Sequence, residues 1–567
     1  MTKIEKRWVL KEPAEQSLVE KLQAELKIEP SLCALLVQRN IHSFDSARDF
    51  FRPQIGHLHD PFLMKGMEQA VIRIKEALEK NQRILIYGDY DVDGTTSVAL
   101  MYQFLNQFTT NLLYYIPDRH AEGYGISEQG IQFAAVQNCH LIIALDCGIR
   151  SVDKVALASS LGIDFIIADH HLPGQEIPAA IAVLDPKQTD CAYPFKELSG
   201  CGIGFKIAQA FAILENLTED TYLQYLDLVA LSIGADLVAM QDENRILAHY
   251  GLKKINTSPC PGIRVLIEQS GRSLPLSMSD VVFQLAPPIN AAGRMGHALD
   301  ALALLLSNSQ DAQQKASKIL NQNTQRKEDD QEITAAALSL IEHAEDFTQK
   351  KTTVVYHESW NKGIIGIVAS RLTETYYRPT VVLTASNGKY TGSARSVIGF
   401  DLYEALVGCA DLLEQFGGHK FAAGLTLAPE NLNAFANRFE EVVSNSINPH
   451  LLLPEIHIDL CLILNQIDAK FYRILTQMGP FGPEHTCPLF MSTDLVLAEK
   501  PQILGNKHLK LKVKQQNSII FDVIAFGQAG EYQQLCHANS FSMCYQIEEN
   551  IWRNKSTLQL NAKAFKF

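Results

Sequence analysis

Three short runs of aliphatic and β-branched residues, RILIYG (83–88), LIIAL (141–145) and IDFIIA (163–168), each end in a polar cluster and are separated by helix-like stretches such as TTSVALMYQFL. Apolar runs of this length read as buried strands, and their alternation with helices predicts a parallel sheet with right-handed crossovers. Ligands of such sheets sit beyond the carboxyl ends of the strands. All three polar clusters fall at that end. Leu223, Leu226, Val229, Ala230 and Ile233 then recur at helical spacing and deliver Asp236 just after a helix.

Residues 309–346 are rich in Gln, Lys, Asp, Glu and Ala without proline or glycine, which predicts a long solvent-exposed helix connecting two lobes. A second α/β pattern follows: strand TVVY, a helix through GIIGIVASRLTETYY, then strands around TVVLTA and YTGSARSV. Beyond about Pro454 many short strand-like runs separated by turn signals predict a small β-barrel. In HLKLKVK (508–514), His508, Lys510, Lys512 and Lys514 share one strand face while Leu509, Leu511 and Val513 face the core. A basic face of this kind suits a phosphate backbone. The chain thus divides into an N-terminal extension (1–60), an α/β parallel-sheet domain (61–308), a helical connector (309–348), a smaller α/β domain (349–450) and a β-barrel (451–567).

The length of 567 residues fits about three to five domains, and 47% hydrophobic content is ordinary for a folded chain. The start, MTKIEKRWVL, is charged and lacks the apolar run of a secretory signal, and no uninterrupted apolar segment is long enough to span a bilayer. A cytoplasmic protein without membrane attachment is expected. The 11 cysteines lack a CxxC pair, so they are expected to be reduced and mostly buried. A net charge of -13 argues against a wholly basic surface but leaves room for a local basic groove holding a polynucleotide.

Candidate chemistry concentrates in four acidic signatures: Asp89, Asp91 and Asp93 in DYDVDG, Asp146 in LDCGI, Asp169-His170-His171, and Asp236 in SIGAD. Each alone could be a helix cap or a surface turn. Converging, they offer hard oxygen and imidazole donors that suit Mn2+ or Mg2+ better than zinc. Two such ions about 3.5 to 4 Å apart serve in-line phosphoryl displacement, so hydrolysis of a phosphoester is the expected reaction. Adjacent histidines on a regular strand cannot both point inward, so one is expected to bind metal while the other contacts substrate or orients a ligand. Phosphate ligands are expected from Arg119, from Asn290 and Arg294 in NAAGRMG, from Ser393 and Arg395 in GSARS, and from a Gly417-Gly418-His419 loop.

In this order DYDVDG, LDCGI, DHH and SIGAD resemble the DHH phosphoesterases, and NAAGRM, GIIGIVASRL, GSARS and FGGHKFAAG resemble the associated DHHA1 lobe. With the NQNTQRK connector and the barrel after MGPFG, the resemblance extends over nearly the whole chain and points to the members that digest single-stranded DNA. It implies that Asp91, Asp93, Asp146, His170 and Asp236 bind two Mn2+ or Mg2+ ions, with Asp89 and His171 assisting as ligand, ligand-orienting group or substrate contact. It also implies a 5′-phosphate pocket of Arg119, Ser393 and Arg395, Arg294 on a neighbouring phosphate, and an OB-like barrel that holds the strand. The implied activity is 5′-to-3′ release of mononucleotides in recombination and repair by a monomer, with single-strand-binding protein and a RecQ-type helicase as partners. Three positions depart from the family pattern: Tyr87 where relatives often carry His, Pro287-Pro288 ahead of Ile289-Asn290, and Pro483-Glu484-His485 after GPFG. The alternatives are a phosphodiesterase acting on short oligonucleotides or cyclic dinucleotides, and a catalytically inactive nucleic-acid scaffold.

Overall fold

A computed structural model describes residues 5–119, 121–343, 347, 349–552 and 555–567. The first four residues, and 344–346 at the end of the expected connector helix, lie outside the described residues. The chain forms two compact units. One comprises Trp8–Pro117, Glu122–Ala286 and His457–Phe567; the other comprises Pro287–Ile456 with Asp118–Ala121 and the segment ending at Arg7.

The first unit opens with helices α1 (Gln16–Leu26), α2 (Pro30–Val37), α3 (Phe44–Phe51) and α4 (Met67–Glu79). An alternating segment follows: β1 (Ile84–Gly88), α5 (Val92–Leu105), β2 (Leu112–Tyr115), α6 (Glu128–Val136), β3 (Leu141–Leu145), α7 (Val152–Ser160), β4 (Asp164–Ala168) and β5 (Ala182–Leu184). The strands form a parallel sheet in the order β2-β1-β3-β4-β5. Gly88 pairs with Leu145 and Leu145 with Ala168, so the next residues, Asp89, Asp146 and Asp169, leave the sheet in one row. Both faces are covered, as a parallel sheet requires. Leu85, Ile142, Ala144, Phe165 and Ile167 share a core with Ile131 and Ala134 of α6 and Val155 and Ala158 of α7. On the sheet's other face α5 packs beside α8 (Gly200–Leu214), and both meet α9 (Leu226–Asp236), which in turn packs on α10 (Asp242–Thr257).

Lys206 of α8, fully buried, donates to Glu243 Oε1 of α10 at 2.9 Å and to the His59 carbonyl at 2.7 Å. The other Glu243 oxygen accepts from the Tyr193 hydroxyl, and Oε1 also accepts from the His59 amide. A buried charge pair persists only when its remaining hydrogen-bonding capacity is filled, and here it fixes α8 against α10.

In the second unit α11 (Ala286–Met295) and α12 (Ala312–Glu342) precede β6 (Thr353–Tyr356), α13 (Ile365–Tyr376), β7 (Thr380–Ser386), β8 (Lys389–Arg395), β9 (Gln415–His419), β10 (Ala422–Leu427) and α14 (Leu432–Ser446). The sheet order is β9-β10-β8-β7-β6, with only β6 and β7 parallel. Two expectations are corrected here. The long helix is not solvent-exposed throughout: Ala312, Ala316, Ile319, Asn323, Asp330, Ile333, Ala337 and Ile341 bury one stripe, and Ile333, Ala337 and Ile341 join a core with α13. Its apolar residues are spread thinly among polar and charged ones, so the segment reads as polar. Gly417-Gly418-His419 is also no loop, since all three residues pair with β10.

The C-terminal strands β11 (Phe490–Leu497), β12 (Gln502–Leu504), β13 (His508–Gln515), β14 (Phe521–Ala525), β15 (Phe541–Trp552) and β16 (Lys555–Lys566) build the barrel. The sequence β11-β15-β16-β14-β13 closes on itself through β11–β13 pairing. Leu509, Leu511 and Val513 point inward as their alternation requires. The barrel core is continuous with Leu22, Leu32, Leu35, Leu36 and Ala47 of α1 to α3, so the N-terminal helices and the barrel share one interior. All eleven cysteines are free and most are buried.

Candidate metal centre and strand-binding residues

His170 Nε2 lies 3.1 Å from Asp146 Oδ1, 3.6 Å from Asp93 Oδ2 and 3.6 Å from Asp236 Oδ2. Despite that proximity, His170 Nε2, His170 Nδ1 and Asp146 Oδ1 are buried and make no hydrogen bond among the described residues. Lone pairs crowded together in this way, buried and unsatisfied, are costly in protein alone. A divalent cation with oxygen and imidazole ligands resolves the cost, so the residues fit the ions expected from the sequence. Donor atoms of Asp146, His170 and His171, and separately of Asp93, His170 and Asp236, each lie within 4.8 Å of one another.

The backbone explains how the donors meet. Asp146, beyond β3, adopts a positive φ of 60°, a strained conformation for a non-glycine residue that turns its side chain off the strand line. Gly200 is required beside it, because a Cβ there would come 2.6 Å from Asp146 Cβ. Asp93, in the first turn of α5, is held by the amides of Gly200 (2.6 Å) and Cys201 (2.8 Å) at the start of α8 and by the Ser232 hydroxyl at 2.7 Å. Asp91 caps α5, with Oδ1 accepting from Gly94 N at 3.0 Å. The capping reading of DYDVDG and its placement beside the cluster are therefore compatible.

Asp169 organises the two histidines. Its Oδ1 accepts from the amides of His170 and His171 and from His171 Nδ1 at 2.7 Å, while Oδ2 accepts from Ile149 N. Because β4 ends at Ala168, the strand rule for adjacent histidines does not operate: both rings lie near Asp146, with centroids 4.7 Å apart. The Tyr124 hydroxyl completes a chain at 2.9 Å from His171 Nε2.

Charge crowding shows in the titration of these groups. Burial, reinforced by Asp93, raises the Asp91 and Asp146 carboxyls and pushes Asp236 up to about 8. Burial lowers His170. At His171 burial acts downward but is outweighed by the Asp169 hydrogen bond and charge, which lift it to about 9. Asp169 shows the complement: burial would raise it, yet His171 and the Ile149 amide bring it down to about 2. Asp89 is buried and adds its charge to Asp146.

Tyr87 takes no part in this cluster. Its ring stacks on Tyr115, and its hydroxyl donates to the Gly125 carbonyl and accepts from Ser127 N, both at 3.0 Å.

In the second unit the phosphate candidates line up on the sheet. Ser393 pairs with Gly424 and Gly424 with Gly417; Arg395 pairs with Ala422 and Ala422 with His419. Ser393 and Arg395, two apart on β8, share a face, and Arg395 Nη1 donates to Ser393 Oγ at 2.9 Å. Ser370 of α13 accepts from Arg395 Nε at 3.2 Å. Gly366, one turn earlier, leaves the space they need: a Cβ would come 3.0 Å from Arg395 Nη2 and 3.1 Å from Ser393 Oγ. Burial lowers the Arg395 guanidinium and the nearby positive charge of Arg119 lowers it further, as like charges disfavour each other's charged form. Asn290 and Arg294 lie four apart on α11, helical rather than in a glycine-rich loop, and Arg294 donates to the Gly363 carbonyl at 3.1 Å. On the barrel, Lys510 is exposed, whereas Lys512 is paired with Glu499 at 3.1 Å.

The sequence marks Gly366 as a point of close backbone approach to a ligand but does not single out Gly200, Ser232, Ser370 or Tyr124. Ser232 stood inside the SIGAD motif and Ser370 inside GIIGIVASRL, so helical spacing within those motifs was the available signal.

A model of the DHH family N-terminal domain matches residues 83–233, a DHHA1 domain model matches 349–445, and a RecJ OB domain model matches 458–564. The chain is 36% identical over 562 residues to the single-stranded-DNA-specific exonuclease RecJ of Bacillus subtilis, covering 98% of this chain and 70% of that protein. It is 34% identical over 553 residues to the protein of that name from Salmonella typhimurium, covering 94% and 95% respectively. The crystal structure of RecJ from Thermus thermophilus in complex with Mn2+ superposes with a TM-score of 0.85 at 26% identity, covering 99% of this chain and 79% of that one. Its complex with Mg2+ superposes with a TM-score of 0.80 at 25% identity, covering 99% and 78%. With a parallel DHH sheet, a DHHA1 sheet and a closed OB barrel in one chain, and with this extent of identity, the protein belongs to the RecJ family.

Proposed function

We propose that this protein is a metal-dependent 5′-to-3′ exonuclease that hydrolyses single-stranded DNA to mononucleotides in recombination and repair. The observation that carries the reading is the cluster of three carboxylate oxygens around His170 Nε2, with His170 Nε2 and Asp146 Oδ1 buried and without hydrogen bonds among the described residues. In this reading Asp91, Asp93, Asp146, His170 and Asp236 hold two Mn2+ or Mg2+ ions, with Asp89 beside them. When bound, such ions polarise the phosphate and lower the pKa of the attacking water.

The chain's own groups do the rest. Asp169 accepts from the backbone amides of His170 and His171 and from His171 Nδ1, which fixes the turn that carries both imidazoles and orients the His171 ring. His171, partly exposed and anchored through Nδ1 to Asp169, contacts the scissile phosphate. Arg119, Ser393 and Arg395 receive the terminal 5′-phosphate, which sets polarity, and Asn290 and Arg294 contact the neighbouring nucleotide. Gly417, Gly418 and His419 leave an exposed edge for the strand, and Lys510 and Lys512 of the barrel follow its backbone. Exposed Lys510 is the stronger contact, because Lys512 must first release Glu499.

The retained acid and imidazole set favours catalysis over an inactive scaffold, and the added barrel favours a polymer over a dinucleotide. No helix among the described residues is long and apolar enough to cross a membrane. The same reading places the protein in the cytoplasm as a monomer, with single-strand-binding protein and a RecQ-type helicase as partners, since its substrate is an exposed strand of chromosomal DNA.

Digestion of end-labelled single strands, with and without a 5′-phosphate, in Mn2+ and in EDTA tests the proposal. Mononucleotides released from the 5′ end only with Mn2+ are expected. Faster hydrolysis of a dinucleotide than of a long strand, or cleavage that persists in EDTA, overturns it.

A further inference from the structure

Asp236 differs from the other acidic groups of the cluster in how it is held. Asp93 accepts three hydrogen bonds and Asp169 four, whereas the Asp236 carboxylate accepts none among the described residues and is the most exposed of the three that face His170, at 28%. Its position therefore depends on backbone. On one side it is the last residue of α9; on the other the chain turns at Leu237, with φ 58°, into the segment leading to α10. The backbone of that segment is fastened at two points. Buried Asn244 donates to the Ala239 carbonyl at 3.0 Å, and Met240 N donates to the Pro483 carbonyl at 2.8 Å.

The second fastening comes from far along the sequence, in the MGPFGPEH stretch that leads into the barrel. Gly482 allows the approach, because a Cβ there would lie 3.0 Å from both Cβ and Cε of Met240. Arg245 of α10 clamps the start of the same stretch, donating to the carbonyls of Met478 (3.2 Å) and Gly479 (3.0 Å) and stacking over Phe50 at 3.9 Å. His485 Nε2 lies 2.8 Å from the Met478 carbonyl, closing the stretch on itself.

We propose that Gly479–His485 is a positioning element for Asp236, so that docking of the barrel onto the DHH domain sets cation affinity as well as holding the strand. The inference rests on the metal-centre reading above and adds to it a structural role for the barrel in the centre itself. A barrel that only held DNA would leave the centre complete when its docking loosened.

The test uses full-length, metal-free protein and the variants Gly482→Ala, Arg245→Met and the conservative Arg245→Lys. Mn2+ binding is titrated by calorimetry, and turnover of a 5′-phosphorylated dinucleotide, which gives the barrel no strand to hold, is measured against Mn2+ concentration. Gly482→Ala and Arg245→Met are expected to bind Mn2+ about 10-fold more weakly, in the range of groups that orient metal ligands. Their dinucleotide turnover should recover at saturating Mn2+, and Arg245→Lys should retain most of the affinity. Thermal unfolding checks that each variant is folded, and Gly482→Ala carries the test should Arg245→Met not fold. Unchanged Mn2+ affinity in the folded variants, with defects only on long strands, overturns the inference and leaves the metal centre standing. A wild-type protein that binds no Mn2+ overturns the metal centre and the inference with it.

Discussion

Asp169 is the residue whose replacement separates orientation from ligation. Three of its four hydrogen bonds hold His170 and His171, so Asp169→Asn should lower Mn2+ affinity about 10- to 100-fold while Asp93, Asp146 and Asp236 remain; calorimetry reads the loss. The crowded carboxylates also set a pH dependence. Asp236 folds with its carboxyl at about 8, far above the unfolded value, and His171 at about 9, also above its unfolded value. Between pH 7 and 8 the folded state therefore retains protons that the unfolded chain has lost, and stability of the metal-free protein must fall as pH rises through that window. His170 is lowered and His485 sits at about 4, so their opposing contributions are complete below pH 7. Bound Mn2+ requires the ionised carboxylate and should reverse the trend; a melting temperature that rises from pH 7 to 8 without metal contradicts the scheme. Asp93, Asp146, His170 and Asp236 could be picked out in the sequence because each follows, begins or ends a regular element. Asp169 and Ser232 could be read only as motif letters, because their partners are backbone amides and side chains brought by other elements.

Two elements make sharper claims. Lys206 ties α8 to α10 in a fully buried pair, and removing one partner of such a pair costs about 3–5 kcal/mol. Lys206→Met should lower the denaturation midpoint accordingly, and because α8 presents the Gly200 and Cys201 amides to Asp93, metal binding should weaken in the same variant. On α13, Ser370→Ala removes the partner of Arg395 Nε while leaving Nη1 on Ser393. The expected result is a several-fold rise in KM for 5′-phosphorylated strands with kcat unchanged, and no effect on 5′-hydroxyl strands. The parallel strands were legible because both faces are buried and the runs are continuous. β9 was not, because glycines carry no strand propensity and its pairing with β10 supplies what its composition lacks. The buried stripe of α12 was hidden for a related reason, its three alanines and three isoleucines being spread thinly among polar and charged residues.

Over the whole molecule, the order of domains followed from the order of patterns, whereas the association of α1 to α3 with the barrel did not, since the two lie at opposite ends of the chain and meet only through a common core. The contact between Pro483 and Met240 is equally silent in sequence. Both make the barrel part of the unit that carries the acidic cluster. The arrangement is tested most directly by soaking crystals in Mn2+ and locating the ions by anomalous scattering. Peaks enclosed by Asp93, Asp146, His170 and Asp236, lost in His170→Ala, are predicted; a well-ordered site with those side chains in place and no anomalous density at saturating Mn2+ would contradict it.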